Sequence, residues 1–136
     1  TYSGHPLACA AGIACLKFYA DEHILEKMQV TGKLLGEILE DLKAKHPCVG
    51  DVRYIGLFSA IELVKDKKTR EPLVPYGSDP QGVMGGIIAA LKARRFMTYS
   101  HENMVLIAPP LIITPEQLKE EMAKMDEVLS EVDAKL

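Results

Sequence analysis

Six residues, Thr1-Tyr2-Ser3-Gly4-His5-Pro6, set hydroxyls and a glycine directly ahead of the small-residue run Leu7-Ala8-Cys9-Ala10-Ala11. Proline favours the first position of a helix, and Ser3 or Gly4 suits the capping position before it. A helix start of this kind presents backbone N–H groups and side-chain hydroxyls together, the donors that an anion such as phosphate takes. Ordinary capping uses the same residues. A second polar feature is Glu62, which interrupts the apolar run from Leu57 to Val64. Its carboxylate either faces the polar side of a sheet or is buried against Arg53 on the neighbouring strand. The remaining cationic candidates are His101, in a turn, and Arg94 and Arg95, near the end of a helix where positive charge is favoured anyway.

Other chemistry is not indicated. The sequence holds no G-x-S-x-G, no P-loop and no H-E-x-x-H. Cys9, Cys15 and Cys48, with His5, His23, His46 and His101, form no C-x-x-C or H-x-x-x-H spacing, so no metal site is expected. An odd set of three cysteines without framework spacing fits a reducing, cytoplasmic setting. A formal net charge of −3 speaks against nucleic acid or an anionic membrane as the main partner. No apolar run reaches the roughly 18–20 residues of a spanning helix.

Periodicity shows which helices and strands hold these residues. From Leu7 to Tyr19 the helix is apolar nearly all round, broken mainly by Lys17, so it needs cover from its own domain, another domain or a partner chain. Asp21 is placed to cap a second helix reaching about Lys45, with Leu25, Met28, Leu35, Ile38, Leu39 and Leu42 on its inward stripe. Asp51 to Ile55 and Leu57 to Val64 read as two strands bending at Gly56, followed by the charged loop Lys65 to Pro72. A helix from about Pro80 to Arg94 carries Gly82, Gly85 and Gly86, which points to close packing against a neighbour. Phe96 to Ser100 and Met104 to Ala108 flank a turn at Glu102-Asn103. Thr114, Pro115 and Gln117 then announce a capped final helix with Leu118, Met122, Met125, Leu129, Val132 and Leu136 on one side. The order α-α-β-β-α-β-β-α predicts an α+β fold, a small mostly antiparallel sheet packed by helices, in one domain of 136 residues.

Three stretches carry a family resemblance. T-x-S-G-H-P-L-A-C-A-A resembles the entry into the C-terminal small domain of class III, pyridoxal-phosphate-dependent aminotransferases. DVRYIGLFSAIELV is similar to that family's strand pair, and APPLIIT before a capped helix resembles its closing segment. They occur in the family's order and span essentially the whole chain. KDKKTREPLVPY is most similar to the ω-amino-acid or taurine:pyruvate type.

The resemblance implies that residues 1–6 form the junction with a large cofactor-binding domain and that residues 1–136 are the small domain. It implies pyridoxal 5'-phosphate as cofactor, a homodimer, and Thr1 as a donor to the phosphate held by the neighbouring subunit. The cofactor-bearing lysine would lie upstream, so this segment alone is expected to be inactive while the whole enzyme moves an amino group from an ω-amino acid or amine to a keto acid such as pyruvate. In ornithine-type members an arginine stands two residues before the APP triplet; here that position is Leu106. In several ω-transaminases an arginine sits near Ser100 or His101, and neither residue here is arginine. The substrate-binding candidates that remain are His101 and Arg53. The alternative reading is a free-standing α+β ligand-binding, regulatory or dimerisation module.

Overall fold

The computed structural model describes residues 3–136. Helix α1 runs Pro6–Asp21 and α2 Ile24–Lys45; strands β1 (Val49–Ile55), β2 (Phe58–Asp66) and the two-residue β3 (Glu71–Pro72) follow. Then come α3 (Val83–Ala93), β4 (Tyr99–His101), β5 (Met104–Ile107) and α4 (Pro115–Asp133). The sheet is antiparallel throughout in the order β1-β2-β5-β4, with β3 paired to β2. The α+β expectation holds in class and order, and β3 is an addition inside the stretch read as a charged loop.

Several boundaries move, each for a local reason. The cap of α1 is His5, not Ser3 or Gly4, because Gly4 turns the chain at φ +76° and the His5 carbonyl accepts the first helical N–H, from Cys9. Asp21 ends α1 instead of capping α2; the two helices are joined by Glu22 and a left-handed His23. On α2 the buried face is Ile24, Thr31, Gly32, Leu35, Gly36, Leu39 and Leu42, which leaves Leu25 exposed one residue round the helix from Ile24. Helix α3 begins at Val83, later than Pro80, because Asp79 accepts the N–H groups of Val83 (2.8 Å) and Met84 (3.0 Å) and Gly82 turns left-handed before them. Gly85 and Gly86 border open space, so the expected close packing there is absent. The Thr114–Gln117 capping box of α4 forms as expected. Leu136 lies past the helix and is exposed.

Close approach of backbones explains two glycines. A Cβ on Gly32 would stand 2.9 Å from the backbone of Gly56, the left-handed corner of the β1–β2 hairpin. A Cβ on Gly36 would meet the Tyr54 ring at 2.6 Å. The glycine pair, one turn apart, thus lets α2 lie directly on the hairpin. Under it, Leu35, Leu39 and Leu42 join Val52, Ile61, Leu63, Val105 and Ile107 of the sheet and Leu118, Met122, Met125 and Leu129 of α4 in a single core. Both helices thus pack on one face of the sheet.

One polar cluster lies inside that packing. His46, at the end of α2, is 1% exposed, with Nδ1 2.6 Å from Asp133 and Nε2 2.7 Å from Asp126. Asp133 also accepts the Cys48 N–H at 2.8 Å, and Lys45 reaches Asp126 at 2.6 Å. The cluster ties the α2–β1 corner to α4, 80 residues later. Burial works to raise both carboxyl groups; for Asp126 the Lys45 and His46 hydrogen bonds outweigh it, and for Asp133 those from Cys48 and His46 do, so both stay below the usual carboxylate range. Burial, together with the Asp133 contact, pushes the Cys48 thiol far up, which makes it a packing group and not a nucleophile.

Substitutions test both features. Gly32→Ala forces backbone against backbone and is expected to cost about 1–3 kcal/mol, whereas Gly36→Ala only displaces the half-exposed Tyr54 ring and leaves thermal stability nearly unchanged. Thermal melts of the two variants check the contrast. Because the folded-state Asp126 and Asp133 lie below their unfolded values, their stabilisation is present above the unfolded carboxylate range near pH 3.9 and is lost as pH falls through the folded values. Asp133→Asn should therefore flatten the acid limb of a stability–pH profile, and His46→Ala, which removes two hydrogen bonds and a buried ring, should lower stability at neutral pH by about 1–3 kcal/mol.

Candidate functional site: the open face of the sheet

Side chains alternate along a strand, so the register decides what shares a face. Val52, Ile61, Val105 and their row-mates point into the core. The opposite face carries two cross-strand rows. Arg53, Ala60, Leu106 and Tyr99 form one; Asp51, Glu62, Met104 and His101 form the next. Ile55 and Phe58 extend the face at the hairpin end. Ile55 is 79% exposed, Phe58 59% and Tyr99 63%. A shallow hollow lined by Ile55, Phe58, Ala60 and Leu106, with Arg53 at its rim, opens onto this surface. Exposed Ile55, Phe58 and Tyr99 on one face, with charged residues bordering them, form an apolar surface of the kind that suits contact with another surface.

Both substrate candidates lie on this face, but the fold keeps them apart. Arg53 is on the β1 edge and His101 on the β4 edge, three strand spacings away, or about 14 Å. The Arg53 guanidinium is already engaged: Nε reaches Asp51 at 3.2 Å, Nη2 pairs with Glu62, and Nη1 points at the Met104 sulfur at 3.8 Å. Glu62 is therefore on the open side of the sheet and paired with Arg53 there, a combination of the two placements read from the sequence. His101 is exposed, and its ring makes no hydrogen bond among the described residues. Arg94 ties the end of α3 to Glu127 (3.0 Å) and Glu131 on α4, away from this face. Leu106 sits at the centre of the Arg53 row, so the position before the APP triplet presents an apolar side chain to the open face.

Sequence reasoning misses the residue that fixes the His101 turn. Asn103 is 7% exposed; its carboxamide accepts the Val74 N–H at 2.7 Å and donates to the Val74 carbonyl at 3.0 Å. Its own carbonyl accepts from Leu63 at 2.8 Å. Glu102, left-handed at φ 50°, accepts the Gly77 N–H at 2.8 Å. The β4–β5 turn thus pins the segment from Leu73 to Ser78 beside His101. An asparagine in a turn gives no signal of this in sequence, because the partner lies 29 residues away.

Thr1, the phosphate candidate, lies outside the described residues. The helix start just after it suits an anion. Gly4 is left-handed, His5 makes no side-chain cap, and α1 has no acidic residue in its first turn, so the helix-start N–H groups meet no side-chain acceptor among the described residues. These donors fit the phosphate end of pyridoxal phosphate. Every lysine among the described residues is at least partly exposed, and Lys27, Lys33, Lys43, Lys45, Lys65 and Lys124 are in ion pairs. Helix α1 itself has no buried residue; Leu7 is 75% and Leu16 72% exposed, and its main contact is with α2. Among the described residues no helix is long and apolar enough to cross a membrane.

Comparison with known proteins agrees with this architecture. Residues 1–129 match the class-III aminotransferase family, and the chain belongs to it. The crystal structure of a taurine:2-oxoglutarate aminotransferase from Bifidobacterium kashiwanohense, in complex with PLP and glutamate, superposes with a TM-score of 0.92 at 46% identity, over 98% of this chain and 30% of that one. In sequence, an ethanolamine-phosphate phospho-lyase homolog from Caenorhabditis elegans is 39% identical over 96% of this chain and 27% of its own length. A taurine–pyruvate aminotransferase from Bilophila wadsworthia is 33% identical over 99% of this chain and 30% of its own. The chain thus spans under a third of the length of these relatives.

Asn103→Ala removes both hydrogen bonds to Val74 and leaves that peptide unsatisfied, at a cost of about 1–3 kcal/mol. Hydrogen exchange at the Val74 amide should accelerate well beyond that of the core strands, and an unchanged rate would show that Asn103 does not hold the segment.

Proposed function

We propose that this chain is the C-terminal small domain of a pyridoxal-phosphate-dependent transaminase that moves an amino group from an ω-amino acid or amine to a keto acid such as pyruvate. Residues 1–6 join it to a larger cofactor-binding domain, and the whole enzyme is a homodimer of the cytoplasm. The observation that carries the reading is the family match over residues 1–129, with likeness to a taurine:2-oxoglutarate aminotransferase at 46% identity. The uncovered α1 and the open sheet face support it, since both need a partner surface that the described residues do not supply.

Each residue then has a physical task. Bound pyridoxal phosphate supplies the electron-accepting ring that makes the amine carbon acidic. Thr1, with the helix-start N–H groups of α1, donates hydrogen bonds to the phosphate held by the neighbouring subunit. The apolar row of Ala60, Leu106 and Tyr99 excludes water from the space it covers, which strengthens the electrostatics within. His101 is the donor at the edge of that space for an anionic substrate group, carboxylate or sulfonate. Arg53 orders the strands through Asp51 and Glu62, and its fork is not free for substrate. The segment contains no lysine suited to hold the cofactor, so alone it is inactive.

A second reading has its own support in the phospho-lyase homolog at 39% identity: release of phosphate from an amino-bearing phosphate ester. The full-length enzyme separates the two. Incubated with taurine or an ω-amino acid and either pyruvate or 2-oxoglutarate, it should form alanine or glutamate, and with ethanolamine phosphate it should liberate no inorganic phosphate. Phosphate release without amino transfer would replace the transaminase reading. Thr1→Ala should lower cofactor retention about tenfold or more with the fold intact; unchanged retention would remove Thr1 from the phosphate site.

A further inference from the structure

Away from the open face's apolar strip, four cations gather round a cleft of roughly 500 Å³. Lys43 comes from α2, Arg53 from β1, and Lys67 and Arg70 from the turn between β2 and β3; Asp51 and Glu62 are the carboxylates within it. The charges are not evenly used. Asp51 is shared by Lys43 (2.8 Å) and Arg53 (3.2 Å), and Glu62 takes the other end of Arg53, so those four groups neutralise one another. Lys67 places its ammonium on the carbonyl of Lys43, a neutral acceptor, and Arg70 makes no ion pair among the described residues. Four cations against two carboxylates leave an excess of two positive charges in one concavity, on a chain whose net charge is −3.

The turn that bears the two surplus cations is preorganised. Asp66 accepts the N–H groups of Lys68 (2.6 Å) and Thr69 (3.1 Å), and Lys65 pairs with Glu71 at 3.2 Å across its base. Arg70 is held left-handed at φ 60°, a conformation that costs a non-glycine residue energy and that tends to be kept where a side chain must be aimed. Opposite the turn, the bulge between Val49 and Asp51 leaves Gly50 without a cross-strand partner, and a Cβ there would meet Val64 at 2.5 Å. The wall is therefore bare backbone. A preordered cation pair facing a bare wall loses little entropy on binding a compact anion.

We propose that this cleft is a binding site for a small soluble multivalent anion of the phosphate or diphosphate type, with Lys67 and Arg70 as its principal donors. The two surplus cations complement a ligand of two or more negative charges, and the Arg70 fork suits paired phosphate oxygens. The cleft is concave, a shape that surrounds a compact anion and does not present its cations together to a flat anionic bilayer. The site stands independently of the transaminase reading, and its probe is neither cofactor nor substrate.

Inorganic pyrophosphate titrated into the full-length polypeptide is the test. Saturable binding that weakens as salt is raised is expected, with amide resonances of Gly50, Lys67 and Arg70 shifting together. The double variant Lys67→Ala/Arg70→Ala should bind about tenfold more weakly or worse at unchanged melting temperature. Lys68→Ala removes the same charge from the same turn without lining the cleft, and should bind as the unaltered protein does. No saturable binding at millimolar pyrophosphate, an equal loss in Lys68→Ala, or binding only to vesicles with phosphorylated headgroups would each overturn the assignment.

Discussion

Helices α2, α3 and α4 all contribute to a core on the same side of one small antiparallel sheet, and the other features of the molecule derive from that asymmetry. A strand with one covered face sends every second side chain into the core and every other one outward. Val52, Ile61 and Val105 are therefore buried, while Arg53, Ala60 and Leu106, one residue along in each strand, are not. Slipping any register by one would exchange the two sets. The core and the open face are two halves of the same constraint.

The covered side is held by two devices that act at different ends. At the hairpin corner, glycines on α2 allow backbone to rest on backbone, which transmits the helix position to Gly56 with no flexible side chain between them. At the other end, the His46–Asp126–Asp133 cluster ties α2 to α4 through a buried ring whose two nitrogens both face carboxylates. Packing sets distance in the first; in the second, polar groups set direction, because a displaced ring would leave its own buried nitrogens without partners. Between them the sheet is fixed against its helices, and the open face becomes a rigid platform.

On that platform charge is arranged to be quiet. Arg53, Asp51, Glu62 and Lys43 settle one another along the β1 edge, leaving the central rows apolar and the β4 edge to His101. Asn103 then fixes the turn that carries His101 to the Leu73–Ser78 segment. The face thus has an apolar middle, a charged margin along β1 and His101 at the opposite edge, the layout of a surface that another surface covers. The bare α1 continues the same logic, since an apolar helix without cover requires a second surface.

Elements whose signals are local can be read straight from the chain. The period of α4, its Thr114–Gln117 box, the hairpin bend at Gly56 and the order of helices and strands are all set by neighbours within a few residues. The family motifs are legible too, because they are short runs with set spacing. Features that depend on distant partners emerge only once the chain is folded. Asp21 has the residue type of a cap, yet α1 absorbs it, since helix ends are settled by where the next packed face begins. Gly85 and Gly86 suggest contact points and border open space. His46 and Asn103 carry no visible signal, since their partners lie 80 to 87 and 29 residues off. Arg53 and His101 could be placed on one face only by the register, and held apart only by the strands between them. Hydrophobic period and capping are properties of a segment; pairing of buried polar groups is a property of the fold, and only folding brings its members within reach.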